Sequence, residues 1–400
     1  MHVCKMSRFH SYLNSSTSIL SEYSGKEPFS LFLKSVFRKN KKYGSRDRRI
    51  ISHLCYCYFR LGKSLMDVPK EERILMGLFL VSQEPNQVLE ALKPEWVDKV
   101  TSSIAEKKRF LGIETELEQL FPYRSGLSEG IASDEFSDSF LTQPNVFVRI
   151  RPGFKETVLN KLKSHDIQFE IVGEQASSVS PNTKLDQILV LDKEAVIQDW
   201  SSQQVGNELF ELFQTLKQVQ GDPLRVWDCC AGSGGKSIMA FDLNNSIQLT
   251  VSDVRSSILN NLRNRFKKAG INRYDELTAD LSKPINDIPN HPFDIIIADV
   301  PCTGSGTWSR TPEQFHYFDE SRIEWYATLQ RSIVVNSMAH LKRDGYLVYI
   351  TCSVFKEENE MNIERLLSKY ELDLIAQKVI PGYNERADSM FISILSHAQL

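Results

Sequence analysis

From Arg225 to Leu395, short apolar runs alternate with longer stretches of helical periodicity. The runs at 225–229, 248–252, 276–279, 293–298 and 346–351 have the length and composition of strands, and two more lie at 372–376 and 390–395. Helical spacing fills the gaps at 200–217, 256–269, 320–341 and 357–370. In Asp294-Ile-Ile-Ile-Ala-Asp299 consecutive positions are apolar, which predicts a strand buried on both faces. Such alternation predicts a doubly wound α/β sheet, and ligands of these sheets bind beyond the carboxyl ends of the strands.

The first half of the chain reads differently. Phe29, Leu31, Phe32, Val36 and Phe37 recur near helical spacing, and a second helix is predicted over Arg48–Arg60. Between them lies a run of bases, Lys39, Lys41, Lys42, Arg46, Arg48 and Arg49, broken by the single acid Asp47. It reads equally well as a phosphate-binding patch or a solvated helix face. Residues 101–139 carry a weak signal, and the Gly/Ser/Asp stretch 125–139 reads as a loop or linker. Asn145–Arg151 reads as a strand, 154–164 as a helix, and 167–172 and 187–191 as further strands, which together make a small α/β unit. Arg149 and Arg151 share one face of their strand, where they would meet RNA phosphate or form a surface ion pair. The organisation expected is a helical domain over 1–120, the small unit over 121–197 and the doubly wound domain over 198–400.

The chemistry gathers at the strand ends. The run Arg225-Val-Trp-Asp-Cys-Cys-Ala-Gly-Ser-Gly-Gly-Lys-Ser237 is a strand, a Gly-rich turn and the start of a helix. Glycines permit a sharp turn and close approach to a ligand, and the helix N-terminus offers N–H donors. A P-loop requires glycine where Cys230 stands, and the dinucleotide fingerprint requires a third glycine where Ser237 stands. S-adenosylmethionine is the remaining nucleotide-type candidate, against a ligand-free turn. Asp253 follows the second strand, where an acid commonly receives ribose hydroxyls, and Asp280 follows the third, where it would bind an adenine amino group. The fourth strand ends in Asp299-Val-Pro-Cys-Thr-Gly-Ser-Gly306 and the fifth in Thr351-Cys-Ser353. Cys302 and Cys352 therefore face one crevice, as a redox pair, a metal site, or a nucleophile with an accessory thiol. The metal reading lacks histidine partners and the redox reading lacks a C-x-x-C pair.

Composition narrows this little. An apolar content of 41% and a net charge of −3 describe an ordinary globular chain, so any nucleic-acid surface must be a local patch. Seven cysteines without C-x-x-C spacing favour reduced thiols in a cytoplasmic protein. Cys55, Cys57 and Cys229 lie in apolar runs and read as small buried hydrophobes. No apolar run is long enough for a bilayer, and the N-terminal stretch lacks an apolar core with a cleavage site.

Several ordered stretches together resemble the RsmB/Nop/Sun family of RNA cytosine-5 methyltransferases. They are Gln198–Gln203, Asp228–Lys236, Asp299–Gly306, Arg310-Thr-Pro-Glu313 and Thr351–Ser353, and the resemblance runs from about residue 140 to 395. The N-terminal helices, with Gly44–Arg49, more loosely resemble the NusB-like domain of the bacterial RsmB type. Ser233 and Lys356 stand where the family usually has proline. The resemblance implies a Rossmann-like class I methyltransferase sheet with an RRM-like unit, S-adenosylmethionine as cofactor and RNA as partner, ribosomal or transfer. It implies cofactor contacts from Cys230, Ala231, Gly232, Ser233, Gly234, Gly235, Lys236, Asp253, Asp280 and Asp299, and RNA contacts from Lys236, Arg149, Arg151 and Arg310. Cys352 would attack carbon 6 of a flipped cytosine, Cys302 would promote its release, and Asp299 would hold the ring. A catalytically idle RNA-binding assembly factor on this fold is the alternative, against which both intact cysteines argue.

Overall fold

The structure, a computed structural model, describes residues 2–118, 120–217, 223–285 and 292–397. The chain forms two compact units. One comprises Met1–Ser125, Ala132–Gln143 and Trp308–Asp319; the other comprises Gly126–Ile131, Pro144–Thr307 and Glu320–Leu400. The small α/β element and the large sheet belong to one unit.

The first unit is helical. Phe29, Leu33 and Phe37 fall at successive turns of the helix Phe29–Lys39 and are buried. They meet Ile51, Leu54, Cys55, Tyr58 and Phe59 of the helix Ser45–Arg60 in one core. Cys55 and Cys57 are fully buried there, and burial pushes both thiols up to about 12, so they act as small apolar side chains. Three further helices, Ile104–Leu111, Glu114–Glu118 and Ser133–Ser139, occupy the stretch with weak periodicity. The first is started by Ser103 and Glu106, which cap one another's backbone N–H groups. The segment Trp308–Asp319 completes this unit's aromatic core: Phe315 stacks 4.9 Å from Phe140 and 5.1 Å from Trp308.

The second unit holds two sheets. The smaller contains β1 (Val146–Ile150), β2 (Phe169–Gly173), β3 (Ala176–Val179) and β4 (Ala195–Ile197), in the order β2-β3-β1-β4 with antiparallel pairing. The helix Lys155–Ser164 follows β1, and a single turn, Leu185–Gln187, stands where an RRM-like unit has its second helix. The run 187–191 was expected as a strand and is not one. Leu185 and Leu189, one helical turn apart, both drop into the lobe's core while Val190 stays exposed, so the segment folds as a turn.

The larger sheet has seven strands: β5 (Arg225–Asp228), β6 (Gln248–Asp253), β7 (Asp275–Thr278), β8 (Phe293–Asp299), β9 (Leu341–Thr351), β10 (Leu372–Pro381) and β11 (Ser389–His397). Their order is β10-β11-β9-β8-β5-β6-β7. The first five pair in parallel, and β11 enters antiparallel to β9 and β10. Chain direction across the sheet reverses between β5 and β8, which opens a crevice at their carboxyl ends. Ile295, Ile296 and Ile297 of β8 are fully buried, as a central strand covered on both faces requires.

Arg149 and Arg151 correct the sequence reading. Each is only 8% exposed, so neither is placed to meet RNA. Their shared strand face is turned onto Asp242 of the helix Gly235–Leu243: Arg149 Nη1 donates to Asp242 Oδ2 at 2.6 Å and Arg151 Nη2 to Oδ1 at 2.7 Å. Arg151 also donates to the carbonyls of Asp192 and Ala269. Desolvation of two guanidinium groups is offset here by a shared carboxylate, which locks the small lobe onto the helix behind the Gly turn. Asp242→Ala would leave both cations buried without that partner. It should lower the stability of the unit by about 3–5 kcal/mol, read as the urea midpoint.

Candidate active site

The Gly turn is fixed from beneath by β6. Ser252 Oγ receives the Trp227 indole N–H at 3.0 Å and donates to the Cys229 carbonyl at 2.9 Å. Ala231 N donates to the Ser252 carbonyl, and Gly232 N donates to Asp253 Oδ2 at 3.0 Å. Gly234 has φ +84°, and a Cβ there would lie 2.7 Å from the Phe266 ring, so only glycine fits. Ser233, which lacks the stiffness of proline, is held by Arg265, whose Nη1 donates to its carbonyl at 3.0 Å and to its Oγ at 2.9 Å.

The acids at the strand ends differ in surroundings. Burial opposes ionisation of Asp253, but bonds from Arg255 and the Gly232 N–H outweigh it and hold its carboxyl below the ordinary value. Asp228 is 1% exposed and burial pushes it up to about 7, against the Ser237 hydroxyl that donates to its Oδ2. Its Oδ1 is buried without a partner. Asp280 is exposed and turned to Ser282 and Lys283. Lys236 is 8% exposed; its Nζ donates to Asp299 Oδ2 at 2.7 Å and to Ser202 Oγ at 3.3 Å. Burial works against the Lys236 cation, yet Asp299 and then Cys352 keep its ammonium above the ordinary lysine value.

Cys302 Sγ and Cys352 Sγ stand 3.2 Å apart, unbonded, at the ends of adjacent strands β8 and β9. Both are partly exposed. The neighbouring thiol, then burial, raises Cys302 well above an ordinary cysteine. What holds the pair is Glu358, fully buried between the two loops. Its carboxylate receives Thr303 N (2.9 Å), Thr303 Oγ1 (2.6 Å), Ser353 Oγ (2.5 Å) and Gln330 Nε2 (2.9 Å). Gly306 N donates to the Cys352 carbonyl, and a Cβ on Gly306 would lie 2.0 Å from the Ser389 carbonyl. Asn359 receives Thr351 Oγ1 and donates to the Ser353 carbonyl.

The fold therefore brings Cys230 to Lys236, Asp253, Asp299, Cys302 and Cys352 to the carboxyl ends of neighbouring strands. Arg310 lies in the helical unit, and Arg149 and Arg151 are buried behind the turn. Three contributors escaped the sequence reading: Glu358, Ser202 and Arg265. Glu358 stood in the acid-rich run Glu357-Glu-Asn-Glu360, where spacing gives no means of choosing the buried member. Ser202 lies within the family-like stretch Gln198–Gln203, and Arg265 has no local signal.

The strand order, with its parallel centre and its final antiparallel hairpin, defines a Rossmann-like α/β fold. Residues 213–395 match the family model described as 16S rRNA methyltransferase RsmB/F. Ribosomal RNA small subunit methyltransferase B of Xanthomonas campestris pv. campestris is 29% identical over 174 residues, which cover 43% of this chain and 38% of that protein. The protein of the same name from Klebsiella pneumoniae is 30% identical over 179 residues, 43% of this chain and 41% of that one. The matched stretch thus spans about two fifths of these curated relatives. Among solved structures, PH0851 shares the fold with TM-score 0.68 at 18% identity, covering 95% of this chain and 97% of that one. NSun6 from Pyrococcus horikoshii does so with TM-score 0.58 at 15% identity, covering 72% and 98%.

The pH dependence of Asp228 is open to test. Its folded value, about 7, lies above the unfolded value of 3.8, so between these the folded state binds the extra proton. Its contribution to stability is full below pH ~4 and is lost as pH rises through ~7. Asp228→Asn should therefore flatten the fall in melting temperature between pH 5 and pH 8 relative to the unaltered chain, measured by calorimetry at matched ionic strength.

Proposed function

We propose that this chain transfers a methyl group from S-adenosylmethionine to carbon 5 of a cytosine in RNA. The observation that carries the reading is the pair Cys302 and Cys352, 3.2 Å apart beside a Gly turn and an acid–lysine pair. The site suits the methyl donor. The turn offers backbone N–H groups at a helix N-terminus, and Asp228 Oδ1, at the carboxyl end of β5, is a buried acceptor without a partner. The Gly turn would hold the amino-acid end of the donor, Asp253 its ribose, and Asp280 its adenine. The donor supplies an electrophilic methyl group.

The protein's part is to make carbon 5 of cytosine nucleophilic. Cys352, as thiolate, forms a bond to carbon 6 of a base taken out of its stack, and electron density moves to carbon 5. Asp299 holds the ring, and Lys236 fixes Asp299 through their 2.7 Å ion pair. After methyl transfer the proton on carbon 5 passes to solvent water. The electron pair it leaves rebuilds the 5,6 double bond and expels Cys352 as thiolate. Cys302, next to that sulfur, is the group placed to assist the departure.

The relatives named above are small-subunit ribosomal RNA methyltransferases, which supports ribosomal RNA as the target class. A transfer RNA is the second reading, since the same site would serve it. The exposed bases Lys39, Lys41, Lys42, Arg46, Arg48 and Arg49 remain the phosphate-binding candidates in the helical unit. Replacing any one that pairs with a phosphate should flatten the slope of log affinity against log salt by about one unit. Bisulfite mapping of RNA from cells with and without the chain identifies the target, and an unchanged map would leave the idle assembly factor.

Two measurements test the chemistry. Asp253→Ala should weaken S-adenosylmethionine binding about tenfold or more in calorimetry, as loss of a charged hydrogen-bond acceptor does. Cys352→Ala should lose at least about a thousandfold in rate and form no covalent complex. Cys302→Ala should still attack and methylate, stall before release, and accumulate a protein–RNA adduct that survives a denaturing gel. Trapping by Cys352→Ala in place of Cys302→Ala would reverse the assigned roles, and loss of activity in both without an adduct would remove the covalent mechanism.

A further inference from the structure

The Gly turn has a conformational problem that β6 only partly solves. Gly232 and Gly234 both take positive φ, +53° and +84°, on either side of Ser233. Two glycines flanking one residue leave that residue little intrinsic stiffness, yet its neighbours' N–H groups must keep a fixed direction to serve a ligand. The bonds from β6 reach Ala231 and Gly232. Ser233 is held from the other side, by a guanidinium.

Arg265 belongs to the helix Ser256–Ala269. Its Nη1 grips both polar atoms of Ser233 available to a donor, the carbonyl at 3.0 Å and Oγ at 2.9 Å. Its Nε donates to Asp192 Oδ1 at 2.8 Å, which fixes the guanidinium plane. Asp192 belongs to the small lobe, just before β4. It is itself constrained, with φ +68°, an N–H bonded to the Ala195 carbonyl at 2.8 Å and a carbonyl that receives Arg151 Nη1 at 3.0 Å. A non-glycine residue in that region of backbone space persists only where its surroundings impose it. The pair is largely buried, with side-chain exposures of 21% for Arg265 and 11% for Asp192, so solvent screens it weakly. The lobe thus reaches the cofactor element twice: at Asp242 on the helix after the turn, and at Ser233 within it.

We propose that Arg265 is a positioning residue of the Gly turn, through which the small lobe sets the affinity of the turn for S-adenosylmethionine. The inference rests on the methyl-transfer reading for the identity of the ligand. Its structural part, that Arg265 holds Ser233 in place, does not. Arg265 makes its contribution through the backbone of the turn, so it should alter ligand affinity more than the maximal rate.

The test uses the full chain, with S-adenosylmethionine as probe. R265A should weaken binding about five- to twentyfold, as loss of a forked charge-assisted interaction does. S233A, which keeps the carbonyl arm, should weaken it about two- to fourfold and add nothing further in the R265A background, because the two share one interaction. D192N should act in the same direction as R265A. At saturating donor the rates of R265A and D192N should stay within about twofold of the unaltered chain. Amide hydrogen exchange over residues 231–236 without ligand should quicken in R265A. R263A, on the same helix as Arg265, breaks the exposed pair with Glu276 of β7; it is the control and should change neither quantity. A folded R265A with unaltered affinity and exchange, or additive losses in S233A and R265A, would overturn the proposal. Failure of the unaltered chain to bind the probe would instead strike the methyl-transfer reading, and the exchange comparison would still decide whether Arg265 holds the turn.

Discussion

A carboxylate removed from water must find donors, and in this unit Glu358 finds three of its four on the loops that carry Cys302 and Cys352. Thr303 supplies two of them from the loop after β8, Ser353 one from the loop after β9, and Gln330 a fourth from the helix between these strands. The Gln330 amide also donates to the Pro301 carbonyl, one residue before Cys302. Neither loop can shift without leaving part of a buried charge unsatisfied, and that cost fixes the sulfurs beside one another. The proposed chemistry needs this, because a thiol that is to assist another must be placed before the substrate arrives.

Much of this was legible in the amino-acid sequence, for definite reasons. β8 announced itself because a strand covered on both faces has no polar alternation to dilute its pattern, and the Gly turn because Gly232 and Gly234 are needed for φ. Both cysteines were found through their positions at strand ends. What escaped was long-range. Arg149 and Arg151 have the spacing of a phosphate-binding face, and nothing near them in sequence announces Asp242, more than ninety residues on, as their partner. The turn at 185–191 looked like a strand because four apolar residues in a row carry no period; burial of Leu185 and Leu189 on one side decided it. Glu358 and Arg265 act through partners that only the assembled sheet brings near.

The arginines also show how charge is used in this chain. With a net charge near balance, its cations serve as joints as much as surface. Arg151 bridges a carboxylate and two carbonyls, and Arg265 bridges a carboxylate and a serine. A planar guanidinium with five donors can satisfy several acceptors in fixed directions, which a lysine cannot. Lys236 fits its own place for the complementary reason: a point charge suits a single carboxylate, Asp299, at the mouth of the crevice.

The segment Trp308–Asp319 sets an order of events in the life of the chain. It is synthesised well after the helices whose core it fills, since Phe315 stacks on Phe140 and Phe121 from more than 170 residues away. Until the ribosome has passed residue 319, the helical unit carries those rings without their cover. By then β5 to β8 have already been made. The helical unit, although first in sequence, completes its core only when the strand bearing Cys302 has emerged, so it is the later part of the chain that closes the earlier one.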